Sequence, residues 1–249
     1  MRRLSTVGCV SLLLALALSP VAVADPSWAK VSAELKGTDS TNVTNLAVSW
    51  SRSDASVSDS LLNSDSFSMW GVTEDTSAPA AIATTASGHA KTGSFYVSAE
   101  SIATPPPDVE SYSGWNRAHQ EWTFQAATDG LVRFDFDLSV TFDLQTALLG
   151  EKASGGYSAT LWLFSNASGN GVGGSTGFAP FTVQDGTDAF AAFSQPDGIQ
   201  FAFAAGESGL LVMEVKTYGS ANTVVPVPAA LLLGMLGLGT AGVKLRGYT

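Results

Sequence analysis

The chain reads as an all-β protein, an antiparallel β-sandwich of jelly-roll-like path set between two apolar ends. Three observations predict it. First, residues 131–143 alternate strictly: Phe134, Phe136, Leu138, Val140 and Phe142 fall on one side, with Arg133, Asp135, Asp137, Ser139, Thr141 and Asp143 on the other. A strand with one dry and one wet face belongs to an antiparallel sheet covered on one side only. Second, weaker copies of this period recur between clusters of Gly, Ser, Asn and Asp, as strands joined by tight turns would. Third, no long stretch spaces its apolar residues at the helical period. Each dry face needs a cover, and a second sheet provides one with the least chain.

In chain order, the first element is a leader. Arg2 and Arg3 precede an apolar run over residues 7–18, and Ala22, Val23 and Ala24 form a small-residue cleavage site before Asp25. That is the layout of a secretory signal peptide over residues 1–24, which makes the Sec export machinery an expected partner. The single cysteine, Cys9, lies inside the apolar run. Cleavage therefore leaves a mature chain without disulfides, thiol nucleophiles or cysteine metal sites.

The exported domain is expected over residues 25–224. Its predicted strands carry Leu46/Val48/Trp50, Phe95/Val97/Ala99, Trp122/Phe124/Ala126, the run 131–143, Ala159/Leu161/Leu163, Ile199/Phe201/Phe203 and Leu211/Met213/Val215. A short helix is expected near residues 143–150. Long loops are expected at 51–66 (Ser/Asp-rich), 104–118 (three consecutive prolines, then Tyr112 and Trp115) and 165–176 (Gly-rich). This domain holds all 22 acidic residues but only 8 of the 12 basic ones, a net charge of −14. Such a surface repels nucleic acid and keeps an exported protein soluble.

The last 25 residues form a separate address. Val225, Pro226, Val227, Pro228 and Ala229 open it, a Leu/Gly-rich run without charge follows, and Lys244 and Arg246 close it. Taken from Val224 to Val243, the apolar stretch is 20 residues long, about one bilayer core as a helix. The basic end favours a cytoplasmic C-terminus. A GPI-type signal at Ser220-Ala221-Asn222 is the alternative, but it lacks the polar spacer and the apolar ending of such signals.

These tail residues resemble the PEP-CTERM family of bacterial sorting signals, in its V-P-x-P-A form known as VPLPA-CTERM. The resemblance covers about a tenth of the chain. It implies a Gram-negative host and a precursor held in the inner membrane by one transmembrane sorting helix. It also implies recognition by an exosortase-type membrane protease, and release or transfer to the cell surface or extracellular space. Proteins of this kind often accompany extracellular polysaccharide.

Within the domain, chemistry is sparse. Two histidines, His89 and His119, show no ligand-pair spacing, and the His119/Glu121 triplet is read as part of a strand. No G-x-S-x-G elbow is present. The glycine-rich run 169–177 lacks the Lys and helix of a phosphate loop. No catalytic residue and no cofactor is expected, although Asp185 and Asp188 could lend oxygens to calcium. The segment with Tyr112, Trp115, Asn116 and Arg117 suits glycan contact: rings for the apolar faces of sugars, Asn and Arg for directional hydrogen bonds. Three readings follow: a non-catalytic exported surface protein, a polysaccharide-binding module, or a glycan-active enzyme, which would need two facing carboxylates.

Overall fold

A computed structural model describes residues 27–71, 77–83, 86–106, 109–177 and 181–224. The leader residues Ala22, Ala24 and Asp25 lie outside them. So do Val225, Pro226, Val227, Pro228, Ala229, Lys244 and Arg246 of the tail. The expected signal peptide and sorting helix therefore fall outside the described residues.

Thirteen strands are described: β1 Trp28–Thr41, β2 Val43–Asp59, β3 Ser64–Gly71, β4 Ser77–Ala83, β5 Ala86–Gly93, β6 Tyr96–Ala103, β7 Glu110–Ala126, β8 Gly130–Gln145, β9 Lys152–Ser165, β10 Gly171–Gly177, β11 Phe181–Gln184, β12 Asp188–Phe203 and β13 Ser208–Asn222. They form a six-stranded sheet in the order β12-β8-β1-β6-β5-β4 and a seven-stranded sheet in the order β10-β9-β13-β7-β2-β3, with β11 beside β9. Neighbours are antiparallel throughout. The sheets face each other, β6 lying against β13 and β7, and β5 against β2. This is an antiparallel β-sandwich, and it belongs to one compact unit, Asp25–Val224.

The alternation in β8 has the expected phase. Phe134, Phe136, Leu138, Val140 and Phe142 are all buried, while Arg133, Asp137 and Ser139 are exposed. Opposite them, Trp122 and Phe124 of β7, Leu161 and Leu163 of β9, and Leu211, Met213 and Val215 of β13 complete the core. Branched and aromatic side chains suit a pleated surface whose two inner faces interdigitate.

One aromatic enters this core from a turn. Phe95 sits in the β5–β6 hairpin with φ 55, an uncommon conformation for a bulky residue. Its ring meets Trp122 at 5.6 Å and Phe134 at 5.9 Å. Gly37 makes the space: a Cβ there would come within 1.8 Å of the Phe95 ring. Any side chain at residue 37 displaces Phe95.

The structure corrects four sequence expectations. The 143–150 helix is absent: β8 continues through Gln145, and a turn follows. The buried Glu151 carboxylate accepts hydrogen bonds from the backbone N–H groups of Ala147 (2.6 Å) and Leu148 (2.8 Å), fixing that turn. Most of 51–66 is strand. Ser51, Ser53, Ala55, Val57 and Asp59 face inward, so the two-fold period is there but is carried by small and polar side chains. Within 104–118, β7 begins at Glu110; within 165–176, β10 pairs with β9 as an edge strand. β1 was not anticipated at all, although Ala29, Val31, Ala33 and Leu35 alternate cleanly between Lys30, Ser32 and Glu34.

The interior is graded. Toward Ser51, Ser101, Ser113, Asn116, Gln120 and Thr217 it is polar yet buried. Hydrogen bonds compensate that burial: Gln120 Nε2 donates to Gly93 O at 2.9 Å, and Trp122 Nε1 donates to Gln120 Oε1 at 2.8 Å. Buried polar groups are tolerated when their partners are in place.

Candidate functional site

The outer face of the seven-stranded sheet gathers most of the exposed aromatic chemistry. The register builds it row by row. Trp162, Val212, Glu121 and Trp50 lie side by side across β9, β13, β7 and β2. The next row is Thr160, Glu214, His119 and Arg52, with Trp70 of β3 opposite Arg52. Then come Ser158, Lys216, Arg117, Asp54 and Ser68. Directly opposite residues share a face in an antiparallel ladder. Trp50, Trp70, Trp115 and Trp162 are thus four of the chain's six tryptophans on one face.

A β-bulge assembles the next part of this face. Between Ser113 and Asn116, β7 spends Gly114 and Trp115 where β13 spends only Tyr218. The extra residue shifts the alternation by one, so Ser113 and Asn116 are both buried while Tyr112 and Trp115 are both exposed. Three-residue spacing in a regular strand would send Tyr112 and Trp115 to opposite faces. The bulge brings them together, as bulges re-aim side chains elsewhere. Trp115 stands 50 % exposed and meets Tyr218 edge-to-face at 4.7 Å.

Charges beside these rings are held in pairs. Arg117 Nε and Nη2 lie 2.8 and 2.7 Å from Asp54 Oδ2, and Arg52 Nε donates to Asp54 Oδ1 at 2.8 Å. Ser68 also donates to Asp54. Lys216 Nζ lies 2.6 Å from Glu214 Oε1. His119 bridges two carboxylates, with Nδ1 3.1 Å from Glu214 Oε2 and Nε2 3.2 Å from Glu121 Oε1; the edge of Trp50 meets its ring at 5.0 Å. Burial pushes the Asp54 carboxyl up, but the hydrogen bonds from Ser68, Arg52 and Arg117 outweigh it and hold it below the usual range. For Glu214 burial likewise raises, while His119 and Lys216 lower it further.

The sign of the pH effect follows. The folded protein holds these two carboxyls as stronger acids than the unfolded chain does. Their stabilisation is present at neutral pH and is lost as pH falls below about 4. Thermal melts of the full chain from pH 6 to pH 2 should show falling Tm, with a shallower acid slope in Arg117→Met. An unchanged slope in that variant would mean the Asp54 pairing contributes nothing.

Of the four residues expected to contact glycan, the structure brings three to this face. Tyr112, Trp115 and Arg117 lie there, on strand β7 rather than a loop. Asn116 points inward and is fully buried. Its Nδ2 donates to Ser101 Oγ and Ser113 Oγ, both at 2.6 Å, and its Oδ1 accepts from Ser56 N at 3.1 Å. Trp50, Trp70, Trp162, Tyr218 and the ion pairs were not anticipated as site residues. Trp162 and Tyr218 stand at outward positions in alternating strands, whereas Trp50 was expected on one face with Leu46 and Val48, and an irregularity between Val48 and Trp50 turns it outward.

The two calcium candidates lie at the two ends of the connection between β11 and β12. Asp185, at φ 60, accepts a hydrogen bond from Gly150 N at 2.8 Å and anchors the turn before β12, which Asp188 opens. Among the described residues no group of three or more His, Cys, Asp or Glu is placed to hold a metal ion. Asp135 lies on the outer side of the other sheet, salt-bridged to Arg133 at 2.7 Å. No protein-family model matches the chain, and no curated protein matches it.

Proposed function

We propose that this is an exported, surface-destined bacterial protein whose sandwich is a non-catalytic glycan-binding module. The observation that carries the binding reading is the outer face of the seven-stranded sheet, where exposed rings stand beside fixed donors and acceptors. Rigid aromatic side chains lose little entropy on binding, and ion-paired neighbours are already ordered before a ligand arrives. The non-catalytic reading is supported by the state of the carboxylates. A glycosidase needs a protonated carboxyl facing an ionised one, whereas Asp54 and Glu214 are each engaged by cationic neighbours that keep them ionised.

The export reading rests on the sequence of the two ends: the leader before Asp25, and the VPLPA-like tail opened by Val225, Pro226, Val227, Pro228 and Ala229. In this reading the Sec machinery exports the chain, the apolar run holds the precursor in the inner membrane, and an exosortase-type protease removes it. The chain's repeated crossings between sheets, as at β1–β2, β6–β7 and β8–β9, support the jelly-roll-like form of the sandwich. Calcium would enter only as an aid to glycan contact.

Two measurements test the proposal. Full-length protein should bind the polysaccharide shed by the cells that make it, and Trp115→Ala should lose most of that binding. Its Tm should change little, because half of the side chain is exposed. Wild-type protein that ignores this polysaccharide would end the binding reading. Mass spectrometry of surface material should find no protein ending in Lys244 to Thr249, and Pro226→Ala with Pro228→Ala should leave precursor in the inner membrane. A surface protein with its tail intact would overturn processing.

A further inference from the structure

We propose that the face recognises an uncharged heteroglycan in which neighbouring sugars differ, one rich in free hydroxyls and the next carrying an apolar substituent of the acetyl or 6-deoxy type. This deepens the glycan-binding reading and rests on it.

Two shallow clefts both border Trp115. The first, about 450 Å3, is lined by Asp54, Arg117, Ser158 and Lys216 together with Trp115. The second, about 430 Å3, lies between Trp115, Tyr112 and Tyr218 over the backbone of Gly114 and Gly219. One residue therefore serves as a wall of both. Two adjoining clefts sharing a wall suit two consecutive units of a chain.

The clefts differ in what they offer. In the first, Lys216 spends one contact on Glu214, and Arg117 Nη1 comes no closer to Glu214 than 3.8 Å. N–H donors remain for sugar oxygens, and Ser158 adds a hydroxyl. In the second, the serines are already engaged: Ser113 Oγ accepts from Asn116 at 2.6 Å, and Ser220 Oγ pairs with Ser154 Oγ at 2.7 Å. The other side-chain hydroxyls there are the phenols of Tyr112 and Tyr218, too few for the several hydroxyls of a sugar unit. Hydroxyls left without partners are costly on desolvation. Methyl or C–H groups against three rings meet no such cost.

Charge selects against an acidic sugar. Arg52, Arg117 and Lys216 are matched on this face by Asp54, Glu121 and Glu214, so the patch is balanced within a domain whose net charge is −14. At the donor-rich cleft the cations Arg117 and Lys216 are each held by an ionised carboxylate, Asp54 and Glu214 respectively. A polyuronate would have to approach a domain of net charge −14, whose cations at this cleft are already paired.

The test uses full-length protein in mild detergent and EDTA, titrated calorimetrically with three probes. These are acetylated xylo-oligosaccharides, the same preparation after alkaline de-acetylation, and polygalacturonate. Acetylated oligomers should bind about tenfold more tightly than de-acetylated ones, with polygalacturonate weakest. Tyr112→Ala should bring the acetylated oligomers down to the de-acetylated affinity, and Tyr218→Leu should repeat this from the facing wall. Lys216→Ala should weaken both neutral probes equally. Melting curves of each variant establish that it is folded. Equal affinity for the two neutral probes, a preference that survives both tyrosine substitutions, or tightest binding to polygalacturonate overturns this inference alone. Failure of all three probes to bind overturns the glycan reading beneath it.

Discussion

Phe136→Asp is expected to unfold the sandwich. Phe136 is 1 % exposed at the middle of β8, and its ring lies 5.4 Å from that of Phe95. The substitution removes a buried aromatic, worth about 3–5 kcal/mol when truncated, and leaves a carboxyl with no cationic partner in an apolar surrounding. Total stability for a domain is about 5–15 kcal/mol, so one such change consumes much or all of it. The neighbouring Asp137→Asn, on the exposed side of the same strand, is the control and should leave Tm within about 1–2 °C, the shift expected of a surface change below 0.5 kcal/mol. Circular dichroism of the two variants decides the matter. Similar melting curves would mean that the inward phase of β8 is wrong.

The second large effect is expected at Asn116. Asn116→Leu keeps the volume but removes both halves of the amide. Ser56 N–H loses its acceptor, and the hydroxyls of Ser101 and Ser113 lose the donor they share. Unsatisfied buried polar groups cost about 1–3 kcal/mol each, and several are created at once. Because the same amide braces the bulge that aims Trp115, glycan affinity should fall together with Tm. Thermal melts and titrations on the same preparation check this pairing. A variant of native stability that has lost only glycan binding would instead make Asn116 a direct ligand contact.

How much of this was legible in the sequence depended on side-chain size. Where large apolar residues alternated with charge, as in β8 and in Leu211/Met213/Val215 of β13, both strand and phase could be read directly. Where the inward positions were Ser, Ala and Val, as in β2 from Ser51 to Asp59, the same period looked like a polar loop. The polar half of the interior was hidden for that reason. Hydrogen bonds, not hydropathy, permit Ser101, Asn116 and Gln120 to be inside.

The site was half legible for a different reason. Tyr112, Trp115 and Arg117 were found by residue type, but Asn116 was misplaced because 104–118 was read as a loop, although the alternation of Trp122 and Phe124 runs back unbroken to Asn116. Only upstream of it does the bulge at Gly114 and Trp115 break the two-fold count. One inserted residue reverses every later assignment in a strand. The remaining members, Trp50, Trp162, Tyr218 and Glu214, are distant in sequence and meet only through strand order, which alternation does not encode. The short helix misread at 143–150 belongs to the same class. A buried carboxylate from Glu151 gives those backbone groups partners that a helix would otherwise supply.

The position of β13 carries a mechanical consequence. The strand lies between β7 and β9, hydrogen-bonded on both sides from Gly209 to Asn222, and Ala221 near its end packs in one cluster with Ala29 near the start of β1. Its 15 residues span roughly 45–50 Å. A pull on the chain at Val224 therefore runs along the length of a central strand. The load is shared by two ladders in shear, whereas an edge strand would peel one bond at a time. Failure under such a pull is set by the rate of unfolding rather than by equilibrium stability. A glycan gripped at Trp115 and a load applied at Val224 would act on neighbouring strands, joined by the β7–β13 ladder.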